Sequence, residues 1–191
     1  MSRFIQKIKR GSLTTGVALL SAGLGNRIRS NEPRSLIKIG GKCLLDLQIE
    51  ALSSMFSEPN ILVGIGVESQ KIIKRFTGRV RLIENQLYKT TGPFETLRLL
   101  VNSSTDDSLL IIHGDLYFNS NILDSADFSK SFIVSDTTGS ILDREVGITS
   151  VNNKASILSY GLKDKWAQIA FLTGKELAIV CRGVYKQPKS F

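Results

Sequence analysis

Two stretches of this chain hold residues whose types and spacing could do chemistry together. The first is Ala22-Gly23-Leu24-Gly25-Asn26-Arg27, with Arg29 close behind. Glycines directly after a buried strand let backbone N–H groups approach an anion closely, which is how a loop cradles phosphate. A Gly-x-Gly pair alone is equally compatible with a bare tight turn. Two better-known phosphate loops are excluded by spacing: the dinucleotide fingerprint needs Gly or Ala where Ile28 stands, and no Gly-Lys-Ser/Thr of a Walker loop occurs. The second stretch is Gly114-Asp115, closing the apolar run SLLIIHGD at 108–115. A carboxylate at the carboxyl edge of a strand, near the first loop, could hold Mg²⁺ that bridges triphosphate oxygens. The alternative is a turn aspartate that caps the next segment. His113, inside the same run, reads as a buried and satisfied histidine.

The elements that must position these residues are legible from hydrophobic patterning. GVALLSA at 16–22 is a short continuous apolar run, as expected of a strand buried on both faces, and it leads straight into the glycine loop. From about Lys42 a helical pattern begins, with Leu45, Ile49, Leu52 and Phe56 on one face and Pro59-Asn60 marking its end. Residues 61–67 form a second buried strand, 68–76 a helix and 80–84 a short strand. Gly92-Pro93-Phe94-Glu95 opens a further helix, and 108–115 is the strongest strand of the chain. The alternation predicts a largely parallel sheet with helices on both faces. After Asp115 come short strands near 131–135, 145–150 and 155–160, the last two joined by a turn at Asn152-Asn153-Lys154. A helix from about Thr173 follows, so the later part is expected to be mixed or antiparallel.

Composition bounds the function. The 191 residues suit a single domain spanning 1–191. The formal charge of +8 suits anionic partners such as nucleotides and phosphorylated metabolites. The basic run Arg3, Lys7, Lys9, Arg10 reads as a solvated tail, and no aromatic-plus-basic motif accompanies the charge, so nucleic acid is not an expected partner. One histidine and two distant cysteines, Cys43 and Cys181, exclude a structural zinc site and a disulfide framework, and point to a reducing cytoplasm. No apolar run reaches the length of a membrane span.

In order and spacing, residues 16–52 resemble the sugar-phosphate and phosphocholine nucleotidyltransferases, which share a molybdenum-cofactor guanylyltransferase-like fold. The resemblance rests on Ala22-Gly23-Leu24-Gly25-Asn26-Arg27, then Pro33-Arg34, then Gly41-Lys42-Cys43-Leu44 and the helix after it. It implies an α/β, three-layer Rossmann-like fold with a mostly parallel mixed sheet. It also implies transfer of NMP from an NTP to a phosphorylated small molecule, a sugar phosphate or phosphocholine, with release of pyrophosphate. On that pattern Arg27 and the amides of Gly23, Leu24, Gly25 and Asn26 hold the β- and γ-phosphates. Arg34 faces the α-phosphate, the backbone around Ala22 and Gly23 faces the base, and Asp115 is the Mg²⁺ ligand. Asn85 to Gly92 corresponds to a loop close to the nucleotide, where polar groups such as Asn85 and Thr91 could read base or ribose; it also fits a plain strand-to-helix connection with Gly92 and Glu95 serving capping. Tyr160 to Trp166 corresponds to the segment in which a lysine, Lys163 or Lys165, approaches the acceptor phosphate. Trp166 could flank a choline or sugar there, or serve as a packing anchor.

The chain departs from the pattern at three places. Arg34 stands where the family has lysine, and a planar fork is not a point charge. Asn26 replaces Ser or Thr. A late acidic residue, the second metal ligand of the family, has no clear equivalent beyond Asp164 and Glu176. The expected partners are an NTP and a phosphorylated small-molecule acceptor, without nucleic acid or membrane. A homodimer is compatible with the sequence. The alternative is a nucleotide-binding protein of the same fold without turnover.

Overall fold

The computed structural model describes residues 14–23, 32–139, 141–142 and 145–186. Its first strand, β1 (Thr15–Leu20), forms because Val17, Ala18 and Leu19 are all fully buried, their alternating side chains serving both faces of the sheet. A 3-10 turn at Arg34–Leu36 follows, then a two-residue hairpin of β2 (Lys38–Ile39) and β3 (Lys42–Cys43). Its turn residues, Gly40 and Gly41, have φ of 57° and 87°, a region costly for any side chain. This hairpin claims Lys42 and Cys43, so α1 runs Leu44–Met55 and starts two residues later than its apolar repeat predicts.

The chain then alternates. β4 (Asn60–Ile65), α2 (Ser69–Phe76), β5 (Arg81–Glu84), α3 (Pro93–Ser103) and β6 (Ser108–His113) succeed one another, with Pro93 at the start of α3 after Gly92. The remainder comprises β7 (Phe132–Asp136), β8 (Val146–Val151), β9 (Lys154–Tyr160), β10 (Asp164–Thr173) and α4 (Gly174–Lys186). The β8–β9 turn holds Asn152 and Asn153 at φ of 51° and 56°, the double left-handed geometry that a two-residue hairpin needs.

One eight-stranded sheet results, in the order β5-β4-β1-β6-β10-β8-β9, with β7 also pairing β10. The first four strands are parallel; β10 runs antiparallel to β6. Helices cover both faces, as the sequence predicts. Val17, Leu19, Val63, Leu110 and Ile112 meet Leu45, Ile49 and Leu52 of α1 and Ile72 and Phe76 of α2 in one core. Ala18, Leu62, Leu109 and Ile111 meet Leu100 and Val101 of α3 on the other face, with Leu177 and Cys181 of α4 packed against them.

The strand missing from the sequence reading is β10. Its alternation is broken by an irregular register between Trp166 and Ala170, where Gln168 takes φ 61°. The bulge hides the period of two that would have revealed a ten-residue strand. Among the described residues no helix is long and apolar enough to cross a membrane.

Candidate functional site

The order of the parallel strands fixes where a ligand can enter. From β1 the chain passes by α1 to β4 on one side of β1; later it passes from β5 by α3 to β6 on the other side. The crossovers on opposite faces leave a crevice at the carboxyl ends of β1 and β6, the switch point at which open α/β sheets bind ligands. Gly114 and Asp115 follow β6 at that point, and Ser21, Ala22 and Gly23 follow β1.

Gly114 permits this junction. Its N–H donates to the Leu20 carbonyl at 3.0 Å, and a Cβ on it would collide with Ser21 Oγ and stand 2.9 Å from the Leu20 oxygen. Ala22 is buried, and its carbonyl lies under Gly66, whose own missing Cβ would come within 2.6 Å of that oxygen. Gly23 is exposed, and nothing among the described residues comes within 4 Å of where its Cβ would stand. The described residues leave open the space that a side chain would fill there, as a backbone approached by a ligand requires. Leu24, Gly25, Asn26 and Arg27 lie outside the described residues, as does the basic run Arg3 to Arg10.

Arg34 and Asp115, 81 residues apart in the chain, meet at the crevice in an ion pair of Nη1 with Oδ2. Each side chain keeps about a third of its exposure, at 28% and 34%. The backbone beneath Arg34 is fixed: Pro33 and Ser35 are buried, Ile37 N–H donates to the Arg34 carbonyl, and Leu44 N–H at the head of α1 donates to the Ile37 carbonyl. Among the described residues, buried Arg34 Nε has no acceptor and the buried Ser21 hydroxyl no partner. Groups left in this state lack the partner that burial ordinarily demands.

His113 is half-buried rather than buried, its ring edge-on to Trp166 with centroids 5.6 Å apart. Burial pushes its imidazole below the ordinary pKa, while the Asp115 carboxylate and the Arg34 guanidinium act on it in opposite senses. Because β10 is antiparallel to β6, its first residues reach the same edge of the sheet as Asp115. Trp166 arrives there with Lys165, which pairs with Glu145; Lys163 is exposed in the turn between β9 and β10. Glu176 follows the far end of β10, where Thr173 pairs with Ser108 at the start of β6. It is therefore at the opposite edge of the sheet and cannot share a metal ion with Asp115. Asp164 lies on the correct edge, opposite Ile148 of β8.

Asn85 is buried, and its side chain bonds both its own loop and α3. Its amide donates to Thr91 Oγ1 and Thr96 Oγ1, both at 3.1 Å, and its side-chain oxygen accepts from Leu87 N–H at 3.0 Å. Thr91 donates in turn to the Leu87 carbonyl. These two side chains hold the shape of the loop beside the crevice, and Asn85 N–H ties it to the Ile65 carbonyl at the end of β4.

A network that the sequence reading did not anticipate supports the wall carrying Arg34. Asp46, in the first turn of α1, accepts from Cys43 Sγ, Arg75 Nη2 and Arg79 Nη1 at 2.6 to 2.8 Å. Burial works to raise its pKa, yet these three donors outweigh it and hold the carboxyl down at about 2. Burial pushes the Cys43 thiol up, and its bond to Asp46 reinforces the rise. The only sequence signal was an acidic residue near a helix start, which is too common to single out.

Comparison with known proteins agrees with this geometry. The family model described as MobA-like NTP transferase domain matches residues 17–126, more than half of the chain. A bifunctional protein GlmU of Methanococcus vannielii is 29% identical over 116 residues, covering 59% of this chain and 27% of that protein. Another, of Blochmanniella pennsylvanica, is 31% identical over 106 residues, covering 52% and 22%. The chain thus spans about a quarter of the length of these curated relatives. Among solved structures, a CTP:phosphocholine cytidylyltransferase from Streptococcus pneumoniae superposes with a TM-score of 0.69 at 20% identity, covering 91% of this chain and 77% of that one. A putative glucose-1-phosphate thymidylyltransferase from Bacillus anthracis gives 0.73 at 15% identity, covering 93% and 77%. At such identities the likeness establishes the fold.

Proposed function

We propose, since this chain belongs to the family of MobA-like NTP transferase domains, that its crevice binds an NTP with Mg²⁺ and transfers NMP to a phosphorylated small molecule in the cytoplasm. The acceptor class is a sugar phosphate or phosphocholine, the classes named for its structural neighbours. One observation carries the reading: a cation and a carboxylate from distant parts of the chain converge at the switch point between β1 and β6.

The donor set suits Mg²⁺ only in part. No group of three or more His, Cys, Asp or Glu among the described residues could hold a metal ion. A single carboxylate still fits, because Mg²⁺ keeps several waters and takes oxygens from substrate phosphates. Asp115 would hold it, and the ion would neutralise charge on the triphosphate. The protein's own part is positional. The amides of Gly23 and the loop after it, with Arg27, grip the β- and γ-phosphates, and Ala22 and Gly23 present backbone to the base. Arg34 meets the charge that builds on the α-phosphate as the acceptor's phosphate oxygen attacks phosphorus and pyrophosphate departs. Lys163 draws the acceptor phosphate toward that edge, Trp166 walls the acceptor, and Asn85 and Thr91 keep the neighbouring loop in shape.

Pyrophosphate release tests this directly, each NTP being offered with phosphocholine and with sugar 1-phosphates. Release with one pair, lost in Asp115→Asn, is the expected result. A second reading, nucleotide binding without turnover, is favoured by the Arg34–Asp115 pair closing on itself where the family has a shorter lysine. NTP binding without pyrophosphate release from any acceptor would establish it.

A further inference from the structure

We infer that Arg34 is the resident counter-cation of Asp115, so that the divalent ion is admitted only together with a nucleoside triphosphate. The inference rests on the nucleotide-binding reading above and adds an order to it. In the free protein, Arg34 Nη1 is on Asp115 Oδ2, the carboxylate from which a divalent ion would draw its ligand. A positive charge there opposes a metal ion twice, by occupying the carboxylate and by repelling the ion.

The arrangement is poised to change hands. The ion pair uses one nitrogen of a guanidinium that carries five donors, and buried Nε has no acceptor among the described residues. Triphosphate oxygens offer that fork the several acceptors that a single carboxylate oxygen does not, and charge-assisted bidentate contacts to phosphate are among the stronger hydrogen bonds. Because Pro33 and Ser35 are buried and the turn is bonded to the head of α1, only the side chain has to swing. As it moves to phosphate, Asp115 is released to the ion that the same triphosphate carries. Lysine, with a compact ammonium and no fork, could not hold both partners in this way.

The experiment is Mn²⁺ binding followed by loss of the free-ion EPR signal, which reads the metal without turnover. It compares wild type, Arg34→Gln, Arg34→Lys and Asp115→Asn, each checked for its circular dichroism melt, with and without a non-hydrolysable NTP analogue. Wild type alone should bind Mn²⁺ no better than Asp115→Asn. Arg34→Gln should gain on the order of tenfold, the effect of one unit charge on a divalent ion a few Å away even at the dielectric of water. Arg34→Lys should fall between, and serves alone if Arg34→Gln does not fold. The analogue should raise Mn²⁺ binding in wild type. Equal Mn²⁺ affinity in wild type and the Arg34 variants would overturn the inference. Failure of every analogue to bind would instead remove the nucleotide reading, while the comparison of metal alone would still decide whether Arg34 holds Asp115.

Discussion

Replacing Gly114 with alanine is a sharp test of the packing at the switch point. The new Cβ would overlap Ser21 Oγ, approach Ser21 Cβ to 2.8 Å and stand 2.9 Å from the Leu20 carbonyl. The hydroxyl can rotate away; the carbonyl belongs to β1, which is hydrogen-bonded on both sides, and cannot. Overpacking of this kind costs about 1–3 kcal/mol, and a backbone obstacle puts Gly114→Ala at the upper end, near ~3 kcal/mol. For a chain of this size that is roughly 6–12 °C in melting midpoint. Ser21→Ala alone removes a buried hydroxyl that has no partner among the described residues and should be neutral or stabilising by up to ~1 kcal/mol. The double variant should recover only about 1 kcal/mol beyond what Ser21→Ala gains by itself, because the Leu20 carbonyl remains. Urea and thermal unfolding of the four proteins measure the cycle. Gly114→Ala within about 0.5 kcal/mol of wild type would refute the reasoning, and so would strict additivity of the pair.

Other expectations follow from the same contacts. Asp46, held at about pH 2, contributes stability that is present above the unfolded carboxyl value near 4 and is lost as pH falls through 2. Asp46→Asn should therefore cost about 2 kcal/mol at neutral pH, and the gap to wild type should narrow in unfolding curves taken between pH 4 and pH 2. Asn85→Ala strands Leu87 N–H and the buried Thr96 hydroxyl and should cost about 2 kcal/mol by urea unfolding, whereas a solvent-facing asparagine would cost almost nothing. Trp166 emission should be quenched as His113 gains its proton, with a midpoint below the ordinary 6.5 because burial disfavours the charged ring. A pH titration of fluorescence checks this, and His113→Phe should abolish the step.

The sequence is most informative where one physical requirement dominates. β1 and β6 are buried on both faces, so their residues form uninterrupted apolar runs, and the glycines after them announce the crevice. The pairing of Arg34 with Asp115 is another matter. Each residue can be singled out by its motif, yet their contact depends on the 3-10 turn folding back over β6, which no local pattern encodes. β10 is obscured by its bulge at Gln168, and without it the placement of Trp166 against His113 could not be foreseen. Asn85 shows what a motif leaves out. A polar residue near a ligand loop invites a role in recognition, and nothing local foretells that its side chain also bonds Thr91, Thr96 of α3 and Leu87 N–H.

The crevice between β1 and β6 is proposed above as a nucleotide site with Asp115 as its metal-side carboxylate. Thermal shift with each of the four NTPs, with and without Mg²⁺, on wild type and Asp115→Asn, addresses it without any assumption about the acceptor. Ligand at ~100 times its dissociation constant adds about 2.7 kcal/mol, or roughly 5–11 °C for a chain of this size. The expected result is a shift with one NTP that depends on Mg²⁺ and disappears in Asp115→Asn. No shift with any NTP, or one that Asp115→Asn leaves intact, would contradict it.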